Sequence, residues 1–214
     1  MEISDLVPFL PTDSPYAFPP AGHPNREKER EDRGVEAFFW YFLCYSFLGF
    51  VLEVIFARLI RSDKPDRKCH LLLPVCPVYG VGALAILLLP RWVKTSPLLL
   101  YLAGAALATL CEWGLSLFYE KAAGAAFWDY KALPLNLGGR VCLPFSLTWG
   151  ILALPLVYLV QPWVQGWVAA IPRWVAFPAA ALYGVDALLS LHLLRTRGTE
   201  GLRWYKGFIP SAAR

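Results

Sequence analysis

The sequence is poor in charged residues, which fill only 17% of its 214 positions, and histidine occurs only three times. A disordered chain combines high net charge with low hydrophobicity, so a content of 57% hydrophobic residues excludes that class. The sequence also lacks a basic, aromatic-interleaved surface, and nucleic acid is therefore not an expected partner. The period-two alternation of membrane β-barrel strands is missing as well, which leaves a helical protein.

Cysteine occurs at five positions, but in no arrangement that indicates a structural framework. The number is odd and no pair has CxxC spacing, so a set of disulfides is not predicted. Cys69, His70 and Cys76 are close in sequence, yet their spacing matches no standard zinc site. We therefore expect small apolar cysteines, no metal and no cofactor.

Long apolar runs make up most of the chain, and its nine tryptophans and ten tyrosines suit membrane interfaces. A helix needs about 20 apolar residues to cross a hydrocarbon core of about 30 Å. The sequence therefore predicts an all-α fold, a polytopic membrane helical bundle of about five transmembrane helices in the lipid bilayer. The predicted spans are residues 35–60, 71–93, 97–119, 141–160 and 175–194.

Prolines and tryptophans mark two irregular boundaries of these spans. Pro74 and Pro77 leave carbonyl groups without intrahelical donors, so the second span should start with a bent or broken segment buried in protein. The fourth span is predicted to end near Val160. A linker at the membrane surface, residues 161–173, is predicted to follow it.

The membrane domain, residues 35–194, is predicted to lie between two tails. Residues 1–34 form a proline-rich, then charged N-terminal tail, in which the mixed-sign run 26–33 can open a short solvated helix. Residues 195–214 form a basic C-terminal tail. A cleaved signal peptide is not expected. Lysine and arginine are more frequent on the C-terminal side of the spans, which predicts a cell-membrane protein with its N-terminus outside and its C-terminus in the cytoplasm.

Three acids, Glu53, Glu112 and Asp186, stand inside apolar spans. A charge at the bilayer centre costs about 2.5–3.5 kcal/mol, so a buried acid needs a partner or a proton. Glu53 shares a helix face with Ser46 and Gly49, a stripe of small residues that lets helices pack closely. The alternative for both glutamates is a shallow position from which the side chain reaches interfacial water.

The connector between the third and fourth spans is the second candidate region. It contains Trp128, Asp129, Tyr130, Asn136 and Arg140, together with a glycine pair. Aromatic residues in a glycine-containing connector are typical of a re-entrant segment that dips back toward the membrane. An interfacial loop with an aromatic anchor fits the composition equally well.

Several motifs in order carry a family resemblance. They are YSFLGF followed by Glu53, the CPVYG turn at 76–80, Glu112, the W-D-Y…N-x-x-G-R-x-C-L block from Trp128 to Leu143, and Asp186. This set resembles a family of bacterial multi-pass membrane proteins labelled "putative ABC-transporter permease, type IV". The resemblance implies a transport component. Because the chain has no GxxxxGK[ST] loop, its ATPase would be a separate subunit. Phe50 departs from the family signature, which has tryptophan there.

Three functions follow from these residues. In a transport component, Glu53, Glu112, Asp129 and Asp186 would converge on a substrate site with Arg140 pairing one or two of them. Trp128, Tyr130 and Asn136 would complete that substrate-binding site, and a homo-oligomer or partner subunits would complete the pore. In a structural or accessory subunit, the same ion network would only lock the helices. A membrane-embedded enzyme acting on a lipid-linked substrate is the third hypothesis, but no histidine lies near the motifs, and we expect no catalytic residues.

Overall fold

The computed structural model describes residues 24–60 and 69–202, which form a helical bundle with one short strand pair. Most of both predicted tails, residues 1–23 and 203–214, and the loop 61–68 lie outside the described residues. The helices are α1 Pro24–Leu59, α2 Pro77–Leu87, α3 Arg91–Lys94, α4 Pro97–Ala123, α5 Leu143–Pro155, α6 Gln161–Ala170 and α7 Ala176–Arg197. The strands are β1 Asn136–Leu137 and β2 Val141–Cys142, paired antiparallel.

Four helical stretches are long and apolar enough to cross a membrane, which confirms the predicted polytopic helical fold. Their outward-facing side chains are large and apolar, as expected of surfaces that meet lipid. The stretches are Arg33–Leu59, Pro97–Ala123, Leu143–Ala170 and Arg173–Leu202. The charged run 26–33 forms the first turns of α1 and is continuous with the first of these spans.

The second predicted span contains α2, a helix of only 11 residues. Its length is about 16 Å, too short to cross the hydrocarbon core by itself. Helix α2 begins at Pro77, where a missing N–H is harmless, and residues 69–76 before it are not helical. The prediction of a broken start to this span is therefore confirmed.

The fourth span differs from its prediction because it does not end near Val160. A π-helical turn, Leu156–Val160, follows Pro155 and leads directly into α6. The π turn changes the hydrogen-bond pattern locally, so the helix continues past the proline. Gln161 is buried and accepts a hydrogen bond of 2.6 Å from the Tyr45 hydroxyl, so it is a packing residue. The predicted linker 161–173 is therefore wrong over 161–170.

Small residues allow the helices of the bundle to approach closely. At the α4–α5 contact, a Cβ added to Gly104 would lie 2.5 Å from the Cβ of Ala153. At the α1–α2 contact, a Cβ on Gly49 would lie 2.1 Å from the ring of Tyr79. These contacts bring α1, α2, α4 and α5 together around the region that contains both glutamates.

Candidate functional site

A cavity of about 260 Å³ lies between α1, α2, α4, α5 and the connector 124–142. Both Glu53 and Glu112 line it, so the structure brings these two predicted residues together. Seven aromatic side chains form much of the remaining wall: Phe56, Tyr79, Phe127, Trp128, Tyr130, Phe145 and Trp149. Among the residues that the structure describes, no lysine or arginine lines this cavity.

Glu112 of α4 is the most enclosed acid of the cavity wall, with 4% of its surface exposed. The Tyr130 hydroxyl donates to its Oε1 at 2.9 Å, and the Trp149 indole N–H donates to its Oε2 at 2.9 Å. Tyr130 comes from the connector and Trp149 from α5, so the carboxylate joins three elements. Burial, and then the negative charge of Glu112, raise the pKa of the Tyr130 phenol, which therefore remains a donor.

Glu53 of α1 lines the same cavity and is partly buried. It accepts a hydrogen bond of 2.9 Å from the Tyr79 hydroxyl of α2. Gly49 lies one turn earlier on the same face of α1, and because it has no side chain, the Tyr79 ring can occupy that space. Tyr79 also contacts the Trp149 ring, with centroids 4.9 Å apart, so an aromatic pair links the two carboxylate positions.

A glycine turn shapes the connector and directs its aromatic residues. Gly138 and Gly139 have φ values of 61° and 73°, in the left-handed region that favours glycine, and they close the β1–β2 turn. The side-chain oxygen of Asn136 accepts from the Gly139 N–H at 3.1 Å. The Gly139 carbonyl in turn accepts from the Tyr130 N–H at 2.8 Å. Asn136 thus acts at the turn and does not line the cavity.

Trp128 lines the cavity, and its indole N–H donates to the Arg140 carbonyl at 2.8 Å. The side chain of Arg140 points elsewhere and forms an ion pair with Glu120 near the end of α4. The hypothesis that Arg140 pairs with one of the converging acids is therefore wrong. The Arg140 side chain reaches Glu120 because that residue lies two turns beyond Glu112, at the end of α4 that faces the connector.

Asp129 also stays outside the cavity, with 59% of its side chain exposed. It accepts a hydrogen bond of 3.0 Å from the backbone N–H of Lys131, and its other oxygen lies 3.7 Å from the Lys131 ammonium. Such an exposed pair contributes little to stability. The predicted convergence of Asp129 with the intramembrane acids is wrong, because its side chain is held within the loop.

Asp186 of α7 is fully buried but forms a separate site. Its two oxygens accept the backbone N–H groups of Leu72 and Leu73 at 2.9 and 3.0 Å. One turn along α7, the Ser190 hydroxyl accepts the Leu71 N–H at 2.8 Å. Non-helical backbone at membrane depth requires such partners, so Asp186 stabilises the broken start of the second span. Its predicted convergence with the glutamates is wrong.

His70 lies beside Asp186, its Nδ1 atom 3.3 Å from Oδ2, and its ring packs against Tyr183. Burial lowers the pKa of His70, and the neighbouring carboxylate opposes that shift only in part. The imidazole is therefore favoured in its neutral form, which suits a packed and nearly solvent-free position.

Sequence reasoning missed Tyr79 and Trp149, the hydrogen-bond donors from α2 and α5. Tyr79 stands in the CPVYG turn and was visible as a motif residue. Trp149 follows Phe145 by four positions and therefore shares its helix face. An indole N–H in an apolar span needs an acceptor, and this was the available signal for a partner of Glu112.

Comparison with known protein families shows which family the chain belongs to. A family described as "Putative ABC-transporter type IV" matches residues 40–193, more than two thirds of the chain. The chain belongs to this family. No curated protein and no solved structure matches it.

The type IV ABC-transporter match contains all eight predicted site residues and four of the elements that surround the cavity, α2, α4, α5 and the connector. Two parts of the described structure extend beyond it. These are the first turns of α1, and the last turn of α7 with the 3₁₀ turn Gly198–Leu202 that follows it, where Thr199 lines the cavity. The family's matched region therefore provides nearly the whole cavity wall.

Proposed function

We propose that the protein is the membrane-embedded component of a transporter and that the cavity lined by Glu53 and Glu112 is its substrate-binding site. The observation that carries this proposal is the position of two intramembrane carboxylates in the wall of one aromatic cavity. Ionisable residues within membrane spans are costly, and they commonly mark substrate or ion pathways. Trp128 and Tyr130 belong to the same site, and Asn136 positions them through the glycine turn.

Asp186 provides an internal comparison for a structural acid. Its oxygens accept backbone N–H groups, it is fully buried, and it lines no part of the cavity. Glu112 instead accepts from two aromatic side chains beside open space. A residue that only locks helices together does not require a neighbouring cavity, so this difference favours binding for the glutamates.

A structural or accessory subunit is the second candidate, and the Asp186 site together with the Arg140–Glu120 pair favours it. In the transport proposal these two contacts hold the frame around the cavity. The excess of lysine and arginine on the connector side supports a cytoplasmic connector and C-terminus, with the N-terminus outside. A separate ATPase subunit would then meet the connector, and a homo-oligomer would complete the pore.

Access to the cavity distinguishes these functions without knowledge of the substrate. A transport site must open to each side of the membrane in turn, whereas a structural cluster need open to neither. In protein whose five native cysteines are replaced, Thr148→Cys places a thiol in the cavity wall. We expect a membrane-impermeant maleimide to label it from either side of oriented vesicles. The matched control on α5 is Ile151→Cys, an exposed apolar position away from the cavity, which should stay unlabelled in lipid.

Labelling of Thr148→Cys from one side only would indicate a receptor or binding role and contradict transport. Labelling from neither side would support the structural alternative. Size-exclusion chromatography of both variants before labelling shows whether the parent fold is retained.

A further inference from the structure

We propose that the substrate of this site is an amphipathic molecule carried in the bilayer, and that it enters the cavity laterally between α1 and α5. The inference rests on the proposed function, since it takes the cavity as the binding site, and it adds the chemical class and the entry route of the substrate. Three features of the cavity carry it: a lipid-facing opening, the depth of that opening and the polar groups behind it.

The cavity wall includes residues of the outer surface of the bundle. Leu52 and Phe56 of α1 line the cavity, and 38% and 39% of their surfaces are exposed. On α5, Thr148 lines the cavity and is exposed, and Leu152, one turn later, is half-buried. All four lie in membrane-spanning stretches, where the surrounding medium is hydrocarbon. The cavity therefore opens to the bilayer between α1 and α5, and we call this opening the lateral mouth.

An aromatic pair crosses the lateral mouth. The rings of Phe56 and Phe145 meet edge to face, with centroids 6.2 Å apart and planes at 82°. Elsewhere α1 packs chiefly on α2, and α5 packs chiefly on α4. Two side chains can separate by a change of rotamer, without a shift of either helix backbone. The seam between α1 and α5 is therefore the part of the cavity wall that opens most easily toward lipid.

The lateral mouth lies within one leaflet of the membrane. At 1.5 Å per residue, Leu52 is about 11 Å from the last residue of α1, and Leu152 is about 14 Å from the first residue of α5. One leaflet contributes about half of a hydrocarbon core of about 30 Å. Both helix ends lie at the membrane surface that carries the connector, so in the proposed orientation this is the cytoplasmic leaflet.

Polar groups lie behind the lateral mouth, whereas mainly apolar side chains frame it. Glu112 is nearly enclosed and accepts hydrogen bonds from Tyr130 and Trp149. A carboxylate has further acceptor positions, so a hydroxyl or amino group of a ligand can donate to it. An apolar chain attached to that group would pass between Leu52 and Leu152 into lipid. The distribution of polar and apolar groups thus matches an amphipathic molecule.

The volume of the cavity sets how much of this molecule enters. About 260 Å³ lies just below the range of about 300–1,000 Å³ that is common for sites enclosing a drug-sized ligand. The cavity therefore accommodates a polar head and the adjoining carbons, while the rest of the chain stays in the bilayer. Lipid is as apolar as the protein interior, so the chain gains nothing from being enclosed.

The test uses native Cys76, a buried residue of the cavity wall, in protein whose other four cysteines are replaced. The probe is N-dodecylmaleimide in phosphatidylcholine vesicles, because its chain holds it in the bilayer and its head is compact. On reaction, the Cys76 sulfur bonds to one carbon of the maleimide double bond, and the thiol proton moves to the other. We expect this probe to label Cys76 in the vesicles.

A larger side chain at the lateral mouth should obstruct the probe. Leu52→Trp should slow labelling of Cys76 by N-dodecylmaleimide roughly tenfold. The matched control is Ile55→Trp, because Ile55 is exposed on the same helix but does not line the cavity, and it should leave the rate unchanged. A membrane-impermeant maleimide, which arrives from water, should label Cys76 equally in both variants.

A competition experiment distinguishes the bilayer from water as the source of the ligand. Monolaurin carries a hydroxyl-bearing head on an apolar chain, and it should slow labelling of Cys76 by N-dodecylmaleimide in a saturable manner. Glycerol, the same head without the chain, should have no effect. Equal slowing by the two compounds, or slowing by neither, would overturn the inference.

Two labelling results would also overturn lateral entry while leaving the transport proposal intact. One is labelling of Cys76 by the impermeant maleimide but not by N-dodecylmaleimide. The other is an equal rate of N-dodecylmaleimide labelling in Leu52→Trp and Ile55→Trp, which would place the entry elsewhere. Labelling by N-dodecylmaleimide without labelling by the impermeant reagent would instead contradict the proposed function, so the two failures are distinguishable.

Discussion

The close contact of α4 with α5 predicts a large effect from adding a single methyl group. In Gly104→Ala, the new Cβ would lie 2.5 Å from the Cβ of Ala153, which is fully buried. Ordinary carbon contacts lie at about 3.5–4.0 Å, so the two helices must separate by roughly 1 Å. Neither methyl group can rotate away, since each is fixed to a helix backbone. The steric cost of such overpacking is about 1–3 kcal/mol.

Gly114→Ala is the matched control, because it lies on the same helix and an added Cβ there would meet nothing within 4 Å. Both substitutions replace glycine by alanine in a helix, and both gain about 1 kcal/mol of helix propensity. The difference between the two variants therefore isolates the steric cost. We expect Gly104→Ala to be less stable than Gly114→Ala by about 1–3 kcal/mol.

The measurement is thermal unfolding of purified protein in detergent, followed by the fluorescence of its nine tryptophans. Gly104→Ala should unfold at a lower temperature than Gly114→Ala, and adding Ala153→Gly should restore much of the loss by removing the opposing methyl group. Equal unfolding temperatures for the two alanine variants would refute the helix contact as described. So would a failure of Ala153→Gly to rescue.

Two further predictions concern the segment before α2. Because burial lowers the pKa of His70 below the value of about 6.5 expected in the unfolded chain, the unfolded state binds more protons as the pH falls through that range. The free energy of unfolding should therefore decrease below about pH 6.5, and His70→Gln should flatten this pH dependence. The measurement is a set of unfolding curves recorded from pH 7 to about pH 5. The same pH dependence in both proteins would contradict the role of His70. The Sγ atoms of Cys69 and Cys76 lie 3.3 Å apart, in direct contact, so a shift of roughly 1 Å would bring them to the disulfide bond length of about 2.05 Å. Diamide, which accepts the two electrons and two protons, should therefore join them as a disulfide. Peptide mass spectrometry, with Cys76→Ser as the control, should detect the linked pair, and its absence from oxidised native protein would show that this segment is folded differently.

The membrane helices could be predicted because a lipid environment imposes length and hydropathy on the sequence itself. The end of the fourth span could not, because Gln161 and Pro162 are typical of a helix boundary in isolation. Only the fold shows that a π turn precedes them and that Tyr45 on another helix satisfies Gln161. The error came from a tertiary contact across more than 100 residues, beyond the reach of local pattern.

The intramembrane acids show the same contrast between what local sequence predicts and what only tertiary contacts decide. Glu53, Glu112 and Asp186 were all recognisable as costly residues in apolar spans, but nothing local separates the cavity residues from the structural one. That difference depends on which group lies opposite each carboxylate. Backbone N–H groups of a broken segment face Asp186, whereas aromatic donors and open space face Glu112.

The π turn at Leu156–Val160 has a geometric consequence for the whole bundle. In an uninterrupted helix, the buried residues Ala153, Val157, Val164 and Val168 would form a single stripe facing one neighbour. One extra residue in the turn offsets the two halves by about 100°, and the stripe divides. Its first half packs with Leu100 and Ala108 of α4, and its second half packs with Tyr45 of α1. A single membrane span thus packs against α4 with its first half and against α1 with its second half, and it connects the two helices that carry Glu112 and Glu53.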